Sequence, residues 1–118
     1  MTVQLDLFGP ITEPQLEQDM TKAQRFQAFH EANPHVLEAM STLALDMQQR
    51  GVQQWSIHAL INVFRWQFAM HTSDANSEFK INNNYAPFYS RALEQVEPRL
   101  EGFFIQRKSE ADEVELVL

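Results

Sequence analysis

The chain contains no cysteine. That absence excludes a disulfide framework, a thiol nucleophile and a thiolate zinc site, and it suits a reducing compartment, the cytoplasm. Glycine is nearly as scarce, three scattered residues among 118, so no glycine-rich loop is available to cradle the phosphates of a nucleotide. Long apolar runs are also missing, whereas a bilayer span needs roughly 18 consecutive apolar residues. The N-terminus lacks a basic region followed by an apolar stretch, so neither a membrane partner nor export is expected. What remains is ordinary globular material, with 44% hydrophobic and 11% aromatic residues, enough for a single core.

The formal charge of −7 is unevenly placed. Asp6, Glu13, Glu17 and Asp19 belong to the beginning of the chain, and Glu110, Asp112, Glu113 and Glu115 to its end. Between them, eight acidic residues face all nine lysines and arginines, so the middle is nearly neutral. Three regions follow: a flexible leader over 1–19, a helical domain over 20–108, and an acidic, solvated tail over 109–118.

Within the domain, periodicity predicts about four helices. Ala23, Phe26 and Phe29 form a stripe through Thr21–Ala32. Asn33-Pro34 reads as a cap with proline at the first helical position, and Val36, Leu37, Met40, Leu43, Ala44 and Met47 mark an apolar face ending at Gly51. Ser56 caps a third helix, in which Ile57, Leu60, Ile61, Phe64 and Phe68 recur on one side. Asn84 or Tyr85 opens a fourth, with Pro87 in its first turn and Phe88, Tyr89, Ala92, Leu93 and Val96 as its buried face until Pro98. Leu100 and Phe103–Ile105 close the core. Alternation around Lys80 allows Phe79–Ile81 to pair with Phe103–Ile105 as a short β ribbon, which would make the bundle resemble a winged helix. The fold class is therefore mainly α, with helix-turn-helix or winged-helix character as its more specific variants.

The most informative residues are Gln4-Leu5-Asp6-Leu7-Phe8, ahead of the turn-forming Gly9-Pro10. This string resembles the peptide by which many bacterial proteins bind the DNA sliding clamp, the β subunit of polymerase III. The resemblance implies that Gln4 enters a small polar-lined subsite, Leu7 and Phe8 fill the hydrophobic pocket, and Leu5 and Asp6 set the geometry between them. Physical reasoning supports it, since an extended peptide can bury two large apolar groups in a preformed pocket while one amide supplies directional hydrogen bonds. Chance would produce the pattern in a chain of this length roughly a few times in ten thousand. Against it stands a structural alternative, in which alternating Val3, Leu5 and Leu7 pack the leader onto the domain.

A weaker resemblance runs through the body. Phe29-His30, Asn33-Pro34-His35-Val36, Phe79-Lys80-Ile81-Asn82-Asn83-Asn84-Tyr85 and Gly102-Phe103-Phe104 with Arg107 are similar to small proteins of phages, prophages and mobile elements. That family implies a setting in replication, host takeover or defence evasion, and no activity.

A DNA-binding body is the second reading. His58, Asn62 and Arg65 lie on the polar face of the third helix, and Asn82, Asn83, Asn84, Ser90 and Arg91 cluster around the fourth, with Lys22, Arg25, Arg107 and Lys108 adding charge where they converge. Neither group carries a basic stripe, and asparagines before a helix are commonly caps. Arg65 and Arg91 are expected to pair with acids or cover apolar faces.

No catalytic constellation is evident. His30, His35, His58 and His71 lack the spacing of a helical metal site and read as surface or capping groups. Glu94, Glu97 and Glu101 read as a solvated helix face, and Trp55 and Trp66 as core packing, although one exposed ring would suffice to anchor a partner. The chain is expected to be a non-enzymatic adaptor or modulator of the sliding clamp, without metal or cofactor. A helix-turn-helix or winged-helix regulator of double-stranded DNA is the alternative, and an acidic inhibitor of a defence nuclease the third. A homodimer presenting two leaders to the ring would gain avidity.

Overall fold

A computed structural model describes residues 7–71 and 81–118. They form a mainly helical domain with α1 Lys22–Ala32, α2 Pro34–Gln49, α3 Ile57–His71 and α4 Ala86–Val96. Among these residues no helix is long and apolar enough to cross a membrane.

Each helix boundary has a local cause. The Thr21 hydroxyl accepts from the Gln24 amide at 3.1 Å while the Gln24 side chain accepts from the Thr21 amide at 2.8 Å, a reciprocal cap that starts α1. Pro34 starts α2 with its fixed backbone angle. At the far end Gly51 adopts φ +102°, and the Gly51 and Val52 amides donate to the carbonyls of Gln48 and Met47, closing α2 as a Schellman turn. Asn82 caps a 3₁₀ turn, Asn83–Tyr85, that leads into α4, and Pro98 begins another, Pro98–Leu100, just beyond it.

α2, α3 and α4 pack against one another, and α1 leans on α2. Phe26 of α1 joins α4 by lying 5.4 Å from Phe88 in a stacked pair and 4.8 Å from Tyr89 edge-on. The α3 stripe is buried as its spacing predicts, through Ile57, Leu60, Ile61, Phe64 and Phe68. Other expectations need correction. Phe104 pairs with Trp55, a partner the sequence did not suggest, in a parallel bridge where the Trp55 amide donates to the Phe103 carbonyl and the Ile105 amide to the Trp55 carbonyl. Ile81 is buried by side-chain packing, and residues 79 and 80 lie outside the described residues. Val96 and Ile105, expected in the core, are exposed, as is Trp66 at 60%. The α3 surface beside Phe64 and Phe68 is simply not covered at Trp66 and Met70.

Residues 7–19, expected as part of a flexible leader, contain no helix or strand but are tied to the body. Leu7, Phe8 and Ile11 pack on the core, and the Asn33 carboxamide exchanges two 2.7 Å hydrogen bonds with the Thr12 backbone. Asn33 therefore spends its side chain on this tether and makes no cap bond for α2. The solvated-tail reading fits the exposure of the carboxylates of 109–118, but Asp112 is bonded to Arg91, Glu110 pairs with Lys22, and some of the apolar residues turn inward. Ser109 and Asp112 cap a 3₁₀ turn, Glu110–Glu113, and Ala111 and Leu116 enter the core.

Candidate functional site

Of the clamp-type string, Gln4, Leu5 and Asp6 lie outside the described residues. Leu7 and Phe8 form a turn and are half-buried. The Phe8 ring lies 5.6 Å from Phe64 and stacks at 4.8 Å on His71, the last residue of α3, while Gly9 behind it is buried. Its Phe8 anchor thus sits against α3, and Leu7 packs on the core beside it in sequence.

The residues considered for DNA separate into two groups. Arg65 donates to Asn62 Oδ1 at 3.1 Å, to the Ile81 carbonyl at 2.8 Å and to Asn83 Oδ1 at 3.3 Å, and Asn82 Oδ1 accepts from the Asn84 amide. Arg65 ties α3 to the segment that opens α4, and Asn82 caps the 3₁₀ turn as anticipated for an asparagine before a helix, whereas Asn62 and Asn83 accept from Arg65 instead of capping. The connection from α2 to α3, Arg50–Ser56, is also longer than the turn of about three or four residues in a helix-turn-helix.

His58 and Arg91 instead meet in one cleft. It measures about 550 Å³ and is lined by Ser56 and His58 at the start of α3, Pro87 and Arg91 in α4, and 105–109 from the C-terminal segment. Arg91 is its structural pivot. Its guanidinium donates to both Asp112 carboxylate oxygens at 3.0 and 3.3 Å, to the Arg107 carbonyl at 2.7 Å, to the Pro87 carbonyl and to Ser90. That pairing pulls the Asp112 carboxyl below its usual range.

The four cations whose convergence would have favoured DNA divide. Arg107 and Lys108 line the cleft, Lys22 pairs with Glu110 at 3.6 Å, and Arg25 donates to the carbonyls of Glu17, Gln18 and Met20. Sequence reasoning missed Ser56, Ser109 and Ile105 as cleft residues, because the wall is assembled from segments far apart in the chain. The Arg107-Lys108 pair was the visible signal.

The histidines are not all superficial. His30 is buried in α1 and stacks on Phe26, and burial lowers its pKa against the opposing pull of Glu31. Tyr89, fully enclosed, is pushed strongly upward by burial and by Tyr85. Glu97, anticipated as part of a solvated acidic face, is held at about 2 by hydrogen bonds from Arg99, while partial burial raises Glu94. No cluster of three or more histidines and carboxylates able to hold a metal ion occurs among the described residues.

Fold and cleft together define a small four-helix domain with a tethered N-terminal segment and a basic-lined surface cleft. No protein-family model, curated protein or solved structure matches the chain.

Proposed function

We propose that the protein is a non-enzymatic adaptor or modulator that engages the bacterial DNA sliding clamp through Gln4–Phe8, acting in the cytoplasm on DNA replication or repair. One observation carries the reading: the Gln-Leu-Asp-Leu-Phe pattern, with a polar head at Gln4 and paired apolar anchors at Leu7 and Phe8. Two features of the body are compatible with it. The anchors belong to no helix or strand, so their transfer to a pocket on a partner leaves α1–α4 intact. They are also only half-buried, so part of their surface is already available for first contact.

A peptide of this kind binds at about the micromolar level, because ordering it on the partner consumes much of the interaction energy. Binding serves either to bring the helical body to replicating DNA or to exclude other clamp-binding proteins from the pocket. The phage or mobile-element setting that the body's motifs imply would suit both outcomes.

The test is calorimetric titration of the full chain into a bacterial clamp, beside Gln4→Ala and a Gln4→Ala/Leu7→Ala/Phe8→Ala variant checked by circular dichroism for an intact fold. Micromolar binding weakened by the first change and lost with the second upholds the proposal. A folded wild-type chain that releases no heat and shows no complex on gel filtration refutes it. Displacement of a polymerase-derived clamp peptide would assign the excluding role.

A further inference from the structure

The cleft between the starts of α3 and α4 has a distinctive charge economy. Nearly every other described lysine or arginine has its head committed: Lys22, Arg50, Arg91 and Arg99 to carboxylates, and Arg25 and Arg65 to backbone carbonyls. Arg107 and Lys108 are the exceptions. Among the described residues neither side chain forms a hydrogen bond or an ion pair, and both line the same cleft. Asp112 is bonded to Arg91 and feels Lys108 only through space, so its carboxylate makes no hydrogen bond or ion pair with either cation. His58, in the first turn of α3, lines the same cleft.

The remaining lining is apolar in a particular place. Ile105, 60% exposed, and Pro87 form a greasy wall beside the cations. At about 550 Å³ the cleft far exceeds the volume of one phosphate and falls within the range of roughly 300–1,000 Å³ typical of ligand sites. Two uncommitted cations next to an exposed aliphatic surface match a ligand carrying an anionic end and a flat, weakly polar body.

We propose that this cleft binds a nucleotide, with Arg107 and Lys108 on its phosphate, and with Ile105 and Pro87 against its base. The assignment is independent of the clamp reading, because it rests on a different part of the molecule. The nucleotide is either a free monophosphate or a unit of a single strand, and the phosphate chemistry is common to both.

Amide chemical shifts of the full-length chain would be followed by NMR during titration with inorganic phosphate, adenosine monophosphate and a short single-stranded oligonucleotide. The expected result is a saturable response at Ser56, His58, Ile105 and Arg107, tighter for the mononucleotide than for phosphate. Arg107→Ala/Lys108→Ala should weaken it at least about tenfold, the loss of two charge-assisted hydrogen bonds. This variant should fold, since both side chains are exposed and unbonded, and an unchanged melting temperature confirms it. Arg50→Ala, remote from the cleft lining, should leave affinity unaltered. An oligonucleotide that binds more tightly than the mononucleotide identifies a nucleic-acid strand as the source, and equal affinity identifies the free ligand. Three outcomes overturn the proposal: no saturable response to any probe, a response that survives in the double variant, or phosphate binding that gains nothing from the base.

Discussion

Asn33 shows how much can depend on one carboxamide. Its side chain is wholly buried and satisfies both polar groups of the Thr12 backbone while also donating to the Phe29 carbonyl at 3.1 Å. Asn33→Ala leaves the Thr12 amide and carbonyl without this partner, while the Phe29 carbonyl keeps the Asn33 backbone amide, and unpaired polar groups at a part-buried contact are costly. A loss of about 2–3 kcal/mol is expected in urea unfolding, together with faster amide exchange at Thr12. A second residue-scale expectation concerns His30. Its pKa in the folded state lies below the ordinary 6.5, so the unfolded chain takes up a proton first as the medium is acidified. The neutral ring's contribution is therefore complete above 6.5 and is lost as pH falls through the lower folded value. His30→Phe should flatten that part of the stability profile, and a variant with the same acid dependence as the wild type would show that carboxylates such as Asp112 dominate instead.

At the scale of elements, the C-terminal segment behaves as part of the domain. Leu116 is buried, the Gln95 side chain donates to its carbonyl, and the Gln27 carboxamide bonds Val117 in both directions, donating to its carbonyl at 2.6 Å. Leu116→Ala is expected to cost about 2–3 kcal/mol, like other large-to-small changes in a core, with a matching fall in the midpoint of thermal unfolding. Gly51→Ala should cost about 1 kcal/mol. Open space surrounds the added methyl, so the penalty comes from φ +102° alone. The four helices were legible in the sequence because each carries its own apolar periodicity and its own end signals. The attachments of 7–19 and 109–118 were not, because each depends on a few side chains, Asn33, Ala111 and Leu116, whose destinations are set by distant partners. The same reasoning explains the cleft: local spacing shows Arg107 beside Lys108 but cannot bring His58 into one cleft with them. It explains the exposed Trp66 as well, since a helical stripe predicts which residues share a face and not how far a neighbour extends over it.

At the scale of the molecule, the position of Phe8 bears on any partner of the N-terminal segment. Leu7 and Phe8 already occupy a surface of the body, so engagement elsewhere exchanges one set of apolar contacts for another. A synthetic peptide spanning 1–10 should therefore bind the sliding clamp more tightly than the intact chain, by up to about tenfold if detachment costs about 1.4 kcal/mol. Competition calorimetry compares the two directly. Equal affinities would mean that the Phe8 contact with α3 contributes nothing to the equilibrium.

The hydrogen bonds between Gln27 and Val117 join α1 to a segment 90 residues further along the chain. Protein synthesis proceeds from the N-terminus, so α1 emerges from the ribosome well before the segment that completes its packing. Its outer surface stays unfinished until Leu116 and Val117 have cleared the exit tunnel. Native docking of this part of the domain therefore waits on that distant segment, and nascent chains stalled with it still in the exit tunnel should remain protease-sensitive around α1 even where α2 and α3 have already closed on each other.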